Sequence, residues 1–97
     1  MTVDWAQAIN ERKRVRLLYD PGERIIEPHA YGFSSDGNLL VRAFQVEGAS
    51  ASHEHHDWKL FREDHMGQSE ISGDFEEPRP GYKRGDKAMK GGIIAEL

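Results

Sequence analysis

Between Val15 and Glu47 the side chains alternate in period two, and two turn signals cut that alternation into three consecutive extended runs. Asp20-Pro21-Gly22 is the first signal: proline fixes φ and glycine permits the reversal. Ser34-Ser35-Asp36-Gly37 is the second, with Asp36-Gly37 supplying the positive-φ positions of a hairpin. The first run, Val15-Arg16-Leu17-Leu18-Tyr19, puts Val15, Leu17 and Tyr19 on one face. The second, Arg24 to Glu27, continues through His29 to Phe33, and Pro28 between them predicts a bend or bulge. The third, Leu39 to Glu47, carries Leu39, Val41, Ala43 and Gln45 on one face and Leu40, Arg42, Phe44 and Val46 on the other. Two largely apolar faces mark a central strand of a curled sheet.

The elements on either side follow the same logic. Thr2 or Asp4 caps a short helix through about Lys13, which must dock through Trp5 and Ile9 because three turns do not persist alone in water. Trp58-Lys59-Leu60-Phe61-Arg62-Glu63-Asp64 is a fourth alternating run, a weaker one surrounds Ile71, and Ile93-Ile94-Ala95 offers a last edge strand. Proline and charge between Glu76 and Tyr82 predict no regular element but a segment lying over the surface, pinned by Phe75 and Tyr82. Residues 1–75 therefore read as one domain and 76–97 as a loose extension that adds an edge strand at 93–96. The expected fold class is mainly β, a small SH3-like or Sm-like β-barrel with one N-terminal α-helix. A chain of 97 residues, 37% of them hydrophobic, holds one small core.

Composition narrows the chemistry. The absence of cysteine excludes disulfides, thiolate catalysis and cysteine-based zinc sites. No apolar stretch reaches the roughly 20 residues of a membrane span, and Met1 to Trp5 has no signal-peptide pattern, so a cytoplasmic location is expected and no membrane partner. A net charge of −4 argues against a dedicated nonspecific nucleic-acid binder. Local basic patches remain, at Arg12-Lys13-Arg14 with Arg16 and at Lys83, Arg84, Lys87 and Lys90. Neither a Gly-x-Ser-x-Gly elbow nor a phosphate loop is present, and no enzymatic activity is expected. The run His53-Glu54-His55-His56 has the donor type for zinc, copper or nickel. It follows Gly48-Ala49-Ser50-Ala51-Ser52, which reads as a flexible loop, so a solvated segment is expected and neither metal nor cofactor.

The order of features resembles the WYL-domain family over roughly the first three quarters of the chain. Ala8-Ile9 followed by Arg12-Lys13-Arg14 matches the family's opening helix and basic run. Val15 to Tyr19 matches an apolar strand closing on tyrosine, and Arg24-Ile25-Ile26-Glu27-Pro28-His29 matches an arginine with a Glu-Pro-His step. Leu39-Leu40-Val41-Arg42-Ala43 stands where the naming triplet falls, and Lys59 to Asp64, with Phe75 downstream, matches the later basic-Phe-Arg-x-Asp strand. Two positions depart from the pattern: Leu39-Leu40-Val41 replaces Trp-Tyr-Leu, and Asp64-His65-Met66 replaces Asp-Arg-Ile. The resemblance implies an SH3-like regulatory domain that binds an anionic, nucleic-acid-derived ligand. It also implies a stand-alone version of a domain that usually accompanies a helix-turn-helix.

The residues themselves supply a matching candidate site. Arg62 shares a face with Trp58 and Leu60, so either that face is partly wet or Arg62 meets an anion there. Arg24, His29, Arg42 and Arg62 are the candidate ligand-binding groups, with Tyr19 and Trp58 as stacking surfaces, for an anionic small ligand or single-stranded nucleic acid. The competing reading pairs these arginines with Glu27, Glu47, Asp57 or Asp64 as ordinary surface ion pairs. A peptide- or protein-binding barrel using Tyr31, Phe33, Trp58 and Tyr82 is the alternative function, and homo-oligomerisation through a sheet edge also stays open.

Overall fold

The computed structural model describes residues 2–50 and 55–97. Asp4, not Thr2, caps the helix: its carboxylate accepts from Gln7 N at 3.1 Å, and α1 spans Trp5–Asn10. The helix stops short of Lys13 because Arg12 takes a left-handed conformation, φ 52°. Trp5, Ala8 and Ile9 are buried beneath it. Burying a side chain such as Ile9 stabilises the fold by about 1.5–3 kcal/mol, which a helix this short requires.

Six strands follow: β1 Lys13–Tyr19, β2 Gly22–Phe33, β3 Leu39–Gly48, β4 Asp57–Arg62, β5 Ser69–Asp74 and β6 Gly92–Glu96. All pairings are antiparallel, in the order β4-β3-β2-β1-β5, with β6 also on β2. The fold is therefore mainly β with one short helix, as the alternation predicts. Among the described residues no ladder joins β4 to β5, and the hydrogen-bonded path ends at those two strands. The fourth run is shorter than its alternation, ending at Arg62; Glu63–His65 turns as a 3₁₀ helix toward β5.

The long strand β2 has two different neighbours on one side. Its first half pairs with β1 up to Val15↔Ile26, and its second half pairs with β6 from Ala30↔Glu96 onward. Pro28 falls in the gap between them, where a missing N–H costs no ladder bond on that side. The expected bulge is there too: against β3 the register skips between Pro28 and Ala30. Gly32 is required farther on, because a Cβ at that position would run into Gly92 O of β6.

One face of the sheet packs under α1. Val15, Leu17, Ile26, Val41, Ala43 and Phe61 are buried there with Trp5 and Ala8. A smaller cluster of Ala30, Leu40 and Met89 lies elsewhere. Residues 76–97, read as a loose extension pinned by Phe75 and Tyr82 with an edge strand at 93–96, form a strap tied to the sheet by side chains before β6 pairs with β2. Trp58 Nε1 donates to Pro80 O (3.3 Å), Tyr82 Oη donates toward Leu97 O (3.2 Å), and Arg84 pairs with Glu96 (3.2 Å). Among the described residues no helix is long and apolar enough to cross a membrane.

Candidate functional site

The candidate residues do not meet at one place. Arg24 aligns with Leu17 of β1 on the face that packs under the helix, whereas His29, Arg42, Trp58 and Arg62 project from the opposite face. The four on that outer face are also occupied by different partners.

Arg62 forms a two-pronged ion pair with Asp64, Nε to Oδ1 at 3.0 Å and Nη2 to Oδ2 at 2.7 Å. Both side chains are substantially exposed. The face that carries Trp58 and Leu60 is thus partly wet, and the anion Arg62 meets is its own neighbour two residues on. Arg42 is paired in the same manner across a much longer stretch of chain, with Asp86 of the strap (2.6 and 3.3 Å). Burial raises the Asp86 pKa, but the Arg42 hydrogen bond, the Ala88 N–H and the Arg42 charge together outweigh it and hold the carboxyl below its ordinary value.

His29 is completely buried. Its ring stacks on Phe75 (centroids 5.3 Å apart) and meets Trp58 edge-on (4.8 Å) and Tyr82 at a tilt (5.1 Å). Nδ1 lies 2.7 Å from Glu27 O, which only accepts, so Nδ1 carries the hydrogen; Nε2 is then free to accept from Arg79 N at 3.0 Å. Burial pushes the His29 pKa down, and the neutral tautomer fits both bonds. His29 is therefore a neutral fastener for the strap.

Beside it, Glu27 is buried between two guanidiniums, Arg14 Nε at 2.8 Å and Arg79 Nε at 2.7 Å. Arg79 also lies over the Phe44 ring, 4.9 Å from its centroid. Burial alone raises the Glu27 pKa, yet the hydrogen bonds from Arg79 and Arg14 bring the net shift down. The outer face is a saturated polar network under the strap.

Arg24 differs in kind. Only 5% exposed, it stacks over Tyr19 and Phe61, 5.2 and 5.4 Å from their centroids. Nε donates to Tyr19 O (3.1 Å), Nη1 to Gln45 Oε1 (3.3 Å) and Nη2 to Asp20 O. All three acceptors are neutral, and among the described residues no carboxylate forms an ion pair with it. Burial moves its pKa down from the ordinary arginine value, the signature of a cation with little compensating charge. A guanidinium has five N–H donors, so two remain. Arg24 borders an open cavity of about 580 Å³ that Tyr19, Lys59, Phe61 and His65 also line. Lys59, which donates to Ser50 Oγ at 3.1 Å, shares the helix-side face with Phe61, one step along β4 from the expected Trp58.

This cavity gathers Arg24 and Tyr19 from the expected set with three residues outside it: Lys59, Phe61 and His65. Strand parity was the available signal for separating the set, since Arg24 and His29 stand an odd number of positions apart on one strand. The same parity puts Lys59 and Phe61 together and away from Trp58.

The metal reading stays where the sequence leaves it for His53 and Glu54, which lie outside the described residues with Ala51 and Ser52. His55 Nδ1 donates to Gly48 O (2.7 Å) and His56 packs edge-on against Phe44 (5.0 Å). Among the described residues no group of three or more His, Asp and Glu side chains is arranged to hold a metal ion. Comparison with known protein families, with curated proteins and with solved structures finds no match for the chain.

Proposed function

We propose that the chain is a small, non-enzymatic anion-binding module with a regulatory role, built on the SH3-like plan that the WYL resemblance implies. The ligand enters the cavity beside Arg24. The observation that carries this reading is Arg24 itself: a buried guanidinium stacked on two aromatic rings, with only neutral acceptors and two donors left over. Evicting such a cation from water is costly unless an anion compensates it, and a phosphate or carboxylate matches the fork of donors. Lys59, His65 and Asp20 also line the cavity among the described residues. The Tyr19 and Phe61 rings supply apolar wall for the rest of the ligand, which fits a phosphate carried on a planar base.

The strand order supports the plan. Each strand from β1 to β4 lies beside its sequence neighbour, while β5 returns to β1. The site differs from the one the resemblance implies: Arg42, Arg62 and His29 belong to internal contacts, and the ligand side shifts to Arg24 and Lys59.

Titration with inorganic phosphate and with a short single-stranded oligonucleotide, followed by NMR, tests the reading. Backbone amides of Tyr19, Arg24, Lys59 and Phe61 shift together, and the folded variants Arg24→Lys and Lys59→Gln bind more weakly. Equal affinity in both variants, or shifts confined to Arg62 and Asp64, sinks the proposal.

A further inference from the structure

The two strands that end the hydrogen-bonded path are not equally guarded. Edge strands are normally blunted by lysine, proline or inward-pointing charge. β4 carries Lys59 and Arg62, but β5, Ser69-Glu70-Ile71-Ser72-Gly73-Asp74, has neither lysine nor proline. Among the described residues β5 pairs with β1 alone. All of it beyond Ser69 is exposed, and Ile71 is 51% exposed.

A cavity of about 600 Å³ runs around this edge and reaches both faces of the sheet. On the helix side its apolar floor is Val3, Ala8 and Ile71, the last aligned with core residue Val15, under a rim of Asp4, Gln7, Glu11 and Lys13. On the other side it is Leu18, 48% exposed, flanked by Glu23 and Glu70. Space on both faces of a free edge is what one further strand occupies, since its side chains alternate between the faces. The walls also dictate the pattern. Side chains toward the helix should be apolar, and those on the other face should lay an aliphatic stem on Leu18 and a cation beside Glu23 and Glu70.

Charge disfavours the simplest alternative. The lining holds Asp4, Glu11, Glu23 and Glu70 against Lys13 and Arg16. Lys13 pairs with Asp74 at 2.8 Å, and Arg16 is shared between Glu70 at 2.9 Å and Glu23 at 3.5 Å, so the edge keeps an excess of negative charge. A second copy pairing through β5 would bring the same acidic edge, in a chain of net charge −4, against itself. A basic strand would not be repelled.

We propose that the β5 edge docks an extended peptide in which apolar and basic residues alternate, added to the sheet as a seventh strand. The site is separate from the anion cavity beside Arg24 and does not depend on that reading.

The probe is a capped hexapeptide of alternating valine and lysine, with its valine–glutamate counterpart as control. The lysine peptide shifts and protects the amides of Ser69 to Asp74, while the glutamate peptide leaves them unmoved. Ile71→Lys and Leu18→Lys, each on an exposed side chain and each checked for unchanged circular dichroism, weaken binding at least about tenfold. The assignment is overturned by equal binding of both peptides, by shifts along Asp57–Arg62 instead, or by full affinity in both folded variants. Concentration-dependent shifts of Ser69 to Asp74 in the protein alone would make a second copy the occupant and overturn it as well.

Discussion

Arg24 and Arg79 are two guanidiniums set against aromatic rings on opposite faces of β2, and their surroundings assign them opposite roles. Arg79 lies over Phe44 with its fork on Glu27, which Arg14 holds from the other side. Its backbone N–H is taken by His29, so main chain and side chain fasten the strap together. Arg24 lies over Tyr19 and Phe61 with its donors on two backbone carbonyls and a glutamine. A carboxylate completes the first arrangement; the second has no ion-paired carboxylate among the described residues and lies beside open space. Stacking alone therefore does not distinguish the two arginines. The charge of their hydrogen-bond partners does.

The strongest way to break the Arg24 side is to remove its shelf. Phe61→Ala takes away a buried ring that touches both Tyr19 and Arg24, and a loss of about 3–5 kcal/mol in urea unfolding is expected. The corresponding blow to the other side is Glu27→Gln. It leaves Arg14 and Arg79 without their shared anion, but both guanidiniums are partly solvated. A smaller loss follows, about 2 kcal/mol, with faster amide exchange along 76–90. The reverse ranking would mean that the outer network, not the ring shelf, carries the fold.

Acid sharpens the contrast, since only the Arg79 side holds a buried histidine. The folded-state pKa of His29 lies below its ordinary value, mainly through burial, so the unfolded chain takes up the proton first. Stability from His29 is complete above pH 6.5 and is lost as pH falls from there toward the folded-state value. The slope approaches about 1.4 kcal/mol per pH unit at most. His29→Gln, whose amide oxygen also accepts from Arg79 N, removes this limb from a plot of stability against pH. Glu27, whose folded pKa is depressed, adds a second loss below its ordinary 4.5 that persists in that variant. A single limb unchanged by His29→Gln would show that the strap is fastened otherwise. The smallest effect belongs to Arg62→Ala. Its pair with Asp64 is local and exposed, and neither urea midpoint nor oligonucleotide affinity is expected to change.

The strands were readable from alternation because the side-chain period matches the pleat, and the turns were readable because Asp20-Pro21-Gly22 and Asp36-Gly37 have few other uses. Partner choice was not readable. Arg42 finds Asp86 and Glu27 finds Arg79 across the irregular strap, where no periodicity says which residue will lie over which. The strap read as loose apart from its pins, and Phe75 and Tyr82 do pin it against His29; what alternation could not show is that Arg79 and Arg84 fasten it as well. Arg24 is the instructive case. Sequence put Arg24 and Tyr19 in one candidate set with His29, Arg42, Trp58 and Arg62, and the fold separates them because Lys59 and Phe61, not Trp58, share the helix-side face.

The change of neighbours along β2 also sets an order of assembly. Residues 22–26 find β1 within a hairpin, so that pairing closes as soon as the two strands exist. Residues 30–33 have β3 close behind but wait for residues 92–96 to complete their other side. During synthesis the second half of β2 is thus left with one open flank until almost all of these residues have emerged, and long-range closures of that kind form slowly. Gly32 stands at that flank. Its missing side chain is what lets the last strand seat against a surface that has been waiting for it.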